Sequence, residues 1–271
     1  MKDIPFEVYD FFGYLAPGFL ILVALDLTFF SSCGEKHFLL RKDLGVVFGI
    51  LWVGVAYVLG HILAGPSAWV LERLATKKWL RFPGITLFWK TRRGFWSKVF
   101  AHYLEQFPEP IRANLLKKFK KEMKESSDGS SEFEELSLGS SLLDNENKEE
   151  QQNAMKIVKK AGSALYLHAY GMVQKDELTM AKLDRFLVLY GFSRNISFSF
   201  GLAILIILLG YLTQGNISYS FVWMGICCFA CVALFFCYLK FFRFWYRILF
   251  LAYLYTPQRR GEKIKKDKDK K

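Results

Sequence analysis

The sequence predicts an all-α membrane protein: four transmembrane helices in two hairpins with a cytosolic helical region between them. Three observations lead there. The 271 residues are 52% hydrophobic and 17% aromatic, yet 23% charged, a division that suits a chain shared between lipid and water better than one soluble core. Four stretches, about 11–31, 44–65, 196–214 and 219–239, approach the ~20 apolar residues a helix needs to cross a bilayer. The 37 Lys and Arg are unevenly spread: Lys36, Arg41 and Lys42 fall in the 32–43 loop and none in the 215–218 loop. The positive-inside rule then places both termini and the middle region in the cytosol.

The first span, within residues 1–65, contains YDFFGYLAPGFLILVALD. Lipid offers no water to compete for the carbonyl that a proline frees, and neighbouring helices can satisfy it, so Pro17 and Gly18 predict a kink inside a surviving helix. Asp26 lies ~5 residues, or ~7 Å, from the outer end, close enough for its carboxylate to reach headgroups or a small wet cavity. MKDIPFEVYD, with one Lys against three acids and no cleavage site after the apolar run, does not read as a signal peptide.

The second span, LGVVFGILWVGVAYVLGHIL, holds no Asp, Glu, Lys or Arg and one histidine, His61. Gly45, Gly49, Ala56, Gly60 and Ala64 fall within ~100° on a helical wheel, a small-residue stripe that lets backbones approach and predicts a homo-oligomer. An antiparallel hairpin brings His61 level with Tyr14 and a turn from Asp10, and far from Asp26. His61 with Asp10 or Tyr14 is a candidate hydrogen-bonded pair; a lone His wetted at the interface is the competing reading.

Residues 66–124 interleave Trp69, Trp79, Phe82, Phe88, Trp89, Phe95 and Trp96 with Lys and Arg. That composition serves single-stranded nucleic acid or a membrane surface; following directly on a span, it reads as contact with anionic headgroups, with nucleic acid disfavoured. Within it, FPEPIRANLLKKFKKEM is a helix with Ile111, Leu115, Leu116 and Phe119 on one face and lysines on the other. Residues 125–153 read as a disordered acidic linker. Residues 154–195 return to a helical pattern, with Asp176 as an N-cap and a continuous run into the third span.

The spans of 196–239 are free of charge. Residues 240–271 hold KFFRFWYRILFLAYLY, read as an interfacial helix with a basic tail near anionic lipid. At the inner mouth of span three Arg194 stands at the depth of Asp10, and a buried arginine there needs an acid.

The net charge of +12 fits an anionic surface. Four of the five Cys lie in one apolar stretch without His, Asp or Glu and read as buried hydrophobes. His102 and Glu105 share a face without a third ligand, and His37 and His168 stand alone. No P-loop, HExxH, GxSxG or kinase signature occurs, so no catalytic, cofactor or metal site is expected.

YDFFGYLAPGFL, YVLGHIL and LYGFSRN, in that order and with spans around them, resemble a recurrent type of bacterial multi-pass membrane protein with no settled function. The resemblance implies a bacterial inner-membrane location and no activity. The expected function is that of a non-enzymatic membrane effector or scaffold whose cytosolic region binds a partner. The alternative is a small oligomeric channel or transporter component lined by Asp26 and His61.

Overall fold

The computed structural model describes residues 8–30, 46–89, 98–125, 148–214 and 220–256. Among them the regular elements are all helical, with no strand. Helix α1 runs Val8–Leu25 and passes into a π-helical turn, Asp26–Phe30. Helix α2, Val46–Ser67, passes into a π-helical segment, Ala68–Leu80. Short α3 (Pro83–Thr86) and α4 (Ala101–Leu104) precede α5 (Glu109–Glu125), α6 (Lys148–Val173), α7 (Glu177–Gln214) and α8 (Ser220–Tyr255).

Two helices carry proline in their interior, Pro17 in α1 and Pro66 in α2. Each lacks an N–H, so the carbonyl one turn earlier loses its helical partner. In α2 the wider π pattern begins at Ala68, two residues later. Ser67 Oγ there lies 2.8 Å from Ala64 O, and in the π segment Thr76 Oγ1 donates to Leu71 O at 2.7 Å. Side-chain hydroxyls thus serve carbonyls at the change of pitch. The π segment ends at Arg81, whose φ of 67° is left-handed and unusual for a side-chain-bearing residue, and the chain turns into Phe82-Pro83.

Among the described residues three helices are long and apolar enough to cross a membrane: Val46–Arg73, Glu177–Thr213 and Phe221–Tyr255. The apolar part of the first helix, Gly13–Thr28, is shorter. As the capping argument requires, α7 starts directly after Asp176, whose carboxylate accepts from the Thr179 hydroxyl at 2.7 Å. That bond holds the Asp176 carboxyl below the usual range.

The chain divides into two compact units, residues 1–81 with 185–242, and residues 82–184 with 243–271. These cut across the sequence segments drawn at 65, 124, 153, 195 and 239. In the first unit, α1 and α2 meet where Gly18 lies on the Ala56 carbonyl and Gly60 on the Tyr14 carbonyl; a Cβ at either glycine would collide with backbone. Ala24 of α1 packs with Ala203 and Ile207 of α7 and Cys227 of α8. Ser197 Oγ donates to Cys231 O at 2.9 Å, tying α7 to α8.

The second unit has a close-packed apolar core from α3, α5, α6, the start of α7 and the end of α8. Leu87, Leu115, Val158, Leu165, Leu183, Leu249, Phe250 and Tyr253 are all fully buried or nearly so. Leu115 and Phe119 are buried as the helical period of α5 predicts, with Ile111 and Leu116 beside them. Two expectations are corrected here. Residues 240–255 are not a separate interfacial helix: α8 is continuous from Ser220, and its last three turns are core. Phe88 and Trp89 are core residues too, at 2% and 5% exposure, so those two aromatics are not a lipid or nucleic-acid surface, whereas Trp69 stays exposed. Burying large rings against neighbours stabilises more than leaving them wet, which outweighs the pull of the adjacent lysines.

Lys118 closes the end of α8. Its Nζ donates to Tyr253 O at 2.6 Å and Thr256 O at 2.7 Å, and lies 4.7 Å from the Tyr253 ring centroid. These carbonyls have no partner within their own helix, and a cation at a helix C-terminus is favoured. Partial burial pulls the Lys118 ammonium below its ordinary value, against the pull of Glu122. Lys118→Met is expected to lower stability by ~1 kcal/mol through loss of the cap. Hydrogen exchange should show the amides of residues 250–256 opening faster while those of α7 are unchanged.

His168 is not alone either. Its Nε2 lies 2.7 Å from Glu122 Oε2, which also accepts from the Tyr253 hydroxyl at 2.7 Å. The expected linker, mainly residues 126–147, lies outside the described residues, although α6 already starts at Lys148. So do His37, Gly45, Phe95, Trp96 and the basic tail.

Candidate functional site

The first unit holds a network of charged and polar side chains from the end of α2, the π segment, α7 and α8. Glu72 Oε1 accepts from Arg194 Nη1 and from the Tyr190 hydroxyl. The Arg194 guanidinium also stands 5.5 Å from the centroid of the Tyr190 ring. Arg194 further donates from Nε and Nη2 to Asn195 Oδ1, each at 3.3 Å. Ser67 Oγ lies 2.7 Å from that same Oδ1; its single proton serves Asn195 or Ala64 at any moment. Thr76 Oγ1 and the Tyr238 hydroxyl are 2.7 Å apart. Since Thr76 donates to Leu71, Tyr238 is the donor in that pair. Tyr190 and Tyr238 pack ring to ring at 5.2 Å, and Phe242 closes the stack at 5.0 Å from Tyr190.

Why the sequence builds this is local. Successive π turns and the α period place Ser67, Glu72 and Thr76 toward α7 and α8, and Tyr190 and Arg194, four residues apart, share one face of α7. An arginine in an apolar surrounding must be paired, and removing its acid leaves an uncompensated charge. Chemically the network is a clamp. It holds an ion pair, four hydroxyls and an amide against one another. Among the described residues no group of three or more His, Cys, Asp or Glu could hold a metal ion.

The sequence-predicted residues are distributed as follows. Arg194 has its acid, but it is Glu72; the backbone of Asp10 is helical and its side chain lies outside the described part. His61 meets Tyr14, with ring centroids 3.8 Å apart and planes 25° apart, so they stack rather than hydrogen-bond. His61 Nδ1 instead lies 3.2 Å from Tyr57 O, one turn back, on an exposed face. Pro17 and Gly18 are buried in α1. Asp26 is 5% exposed at the start of the π turn. The small-residue stripe does not act as one surface: Ala56 and Gly60 are taken by α1, whereas a Cβ at Gly49 would meet no atom within 4 Å. Within the chain, Ala56 and Gly60 face its own first helix.

Ser67, Glu72 and Thr76 fall beyond residue 65, where the sequence reading ends span two, and Tyr238 is one aromatic among many in span four. The signal was there. Glu72 is the one acid between Asp43 and Glu105, isolated in a run that is otherwise apolar or basic, and such an acid needs a designated cation.

No protein-family model, curated protein or solved structure matches the chain. Its class is therefore read from the fold: among the described residues, an all-helical architecture with three apolar helices of membrane-crossing length.

Proposed function

We propose that this is a non-enzymatic, multi-pass integral membrane protein, an effector or scaffold whose second unit binds a cytosolic partner. The observation that carries the reading is the contrast between the units. The first exposes large apolar side chains along its helices, among them Ile50, Leu51, Val58, Leu205, Leu212, Phe221 and Phe229, an arrangement water would penalise and lipid would not. The second has an apolar core of its own, as a water-facing domain does.

The reading keeps four spans, the first being the shorter α1 with its π turn. Gly18 on Ala56 and Tyr14 on Gly60 support an antiparallel hairpin, since a rise along α1 is matched by a fall along α2. Both termini and the second unit face the cytosol of a bacterial inner membrane, with the Lys- and Arg-rich flanks on anionic headgroups. Self-association would use the outward face of α2 near Gly49. A channel has less support: Glu72, Arg194, Asn195, Ser67, Thr76 and Tyr238 bond one another within one copy rather than line a path.

Cysteine-accessibility labelling in intact cells, on a Cys-free background, tests the arrangement. Cysteines at 37 and 216 should react with an impermeant reagent from outside and one at 130 should not; reaction at 130 would refute it. Overexpression then separates the two roles. An effector slows growth and admits an impermeant dye; a scaffold does neither, yet retains a partner through residues 82–184.

A further inference from the structure

We propose that Arg243 and Arg247, one turn apart on α8, form a binding site for a phosphate monoester, carried by a soluble molecule or by a phospholipid. Both residues belong to the second unit, so the site does not depend on the first unit spanning a membrane.

Arg243 is 5% exposed. Its Nη2 donates to Glu105 O at 2.8 Å and reaches Glu105 Oε2 at 3.2 Å. Its Nη1 is buried and has no hydrogen-bond partner among the described residues. Half of the guanidinium fork is thus unused, in a place where an unmet charged donor is costly. The acid beside it is only partly committed. The Glu105 side chain is 61% exposed, and its Oε2 also lies 3.7 Å from His102 Nδ1. Arg247 follows four residues on, within ~40° of Arg243 around the helix. It is half-buried, and among the described residues neither an acid nor a hydrogen-bond acceptor meets it. The two guanidinium charges are close enough to act on each other, and like charges at this spacing destabilise a helix. Trp245 and Tyr246, between them in sequence, pack on the apolar core. Two cations at the edge of that core, against one half-solvated carboxylate, leave positive charge unanswered.

A dianion answers it. A second carboxylate would fill one fork and leave the other cation as it is. A water can take the hydrogen bond of Nη1 but brings no charge. A phosphate monoester carries ~1.5–2 negative charges at pH 7 and several terminal oxygens. It can accept from Nη1 of Arg243 and from the Arg247 fork together, and arginine forks match phosphate geometry. Glu105 is the gate. Its backbone oxygen keeps Arg243 in place while its exposed carboxylate swings out, and the phosphate takes the vacated side of the guanidinium.

The test uses the full-length chain in an uncharged detergent, so that no lipid phosphate is carried into the assay. Glycerol phosphate is the soluble probe and dioctanoyl phosphatidic acid the lipid probe, with sodium chloride at matched ionic strength as the blank. Calorimetric titration should give saturable binding of at least one probe, and the thermal midpoint should rise with it and not with chloride. Binding of glycerol phosphate assigns a soluble ester; binding of the lipid alone assigns a headgroup. Binding of neither overturns the proposal. Arg247→Gln removes a cation that has no protein partner. Its midpoint without ligand should hold or rise, while its affinity for the probe should fall at least ~10-fold, the loss of one charge-assisted contact. Undiminished affinity in that variant places the probe elsewhere and overturns the proposal. Glu105→Gln removes the competing charge from a largely exposed side chain and should bind the probe more tightly than wild type. Should Arg247→Gln fail to fold, unchanged or weaker binding by Glu105→Gln overturns the proposal in its stead.

Discussion

Gly60→Ala is expected to destabilise the protein more than any other single-methyl change in the first unit. The added Cβ would run into the backbone carbonyl of Tyr14, and Gly18→Ala into that of Ala56. A flexible side chain could swing away; a carbonyl inside a helix cannot, so α1 and α2 must separate along their contact. Overpacking costs ~1–3 kcal/mol even where side chains can adjust, and with backbone on the other side the upper end applies. Separation also loosens the Tyr14–His61 stack, which sits on the same turn. Gly49→Ala is the matched control. It meets nothing within 4 Å, and alanine gains ~0.5–1 kcal/mol over glycine inside a helix. The thermal midpoint in detergent should fall sharply for Gly60→Ala and Gly18→Ala, and hold or rise for Gly49→Ala. Equal midpoints for Gly60→Ala and Gly49→Ala would show that the close approach of α1 and α2 does not occur.

The same pair of glycines shows how far the sequence could be read. The wheel identified Ala56 and Gly60 as places of close backbone approach, and an antiparallel pairing brought His61 level with Tyr14. Composition could not say whether the approaching helix belongs to this chain or to another copy, because a small-residue stripe fits either. The C-terminal part of α8 was illegible for a different reason. FFRFWYRILFLAYLY has the composition of an interfacial helix. What makes Leu249, Phe250 and Tyr253 core is packing against Leu115, Phe119, Val158 and Leu165, residues distant in sequence. Phe88 and Trp89 were misread likewise: lysines and arginines nearby in sequence implied a surface, while their tertiary neighbours bury them. Local pattern gives an element and its period; which face another element covers is set by contacts that a single sequence does not display.

Arg194 tests that boundary most directly, because sequence and structure name different partners for it. If Glu72 is the partner, Glu72→Gln leaves a guanidinium in an apolar setting with a neutral amide, and Arg194→Gln leaves a carboxylate. Arg194 is 15% and Glu72 33% exposed, so the cost lies between the ~1 kcal/mol of an exposed pair and the ~3–5 kcal/mol of a fully buried one. The loss for Arg194→Gln should be larger than that for Tyr190→Phe, which deletes one donor to Glu72 and keeps the ring on Phe242 and Tyr238. The swap Glu72→Arg with Arg194→Glu should recover part of the loss, since groups in contact are coupled by ~0.5–3 kcal/mol while distant ones add. Asp10→Arg with Arg194→Asp is the competing cycle. Thermal midpoints of the purified variants decide between them. Coupling at Glu72 and simple addition at Asp10 is the expected pattern, because an arginine in a weakly solvated site commits its charge to the acid that can reach it with the others of its network already in place.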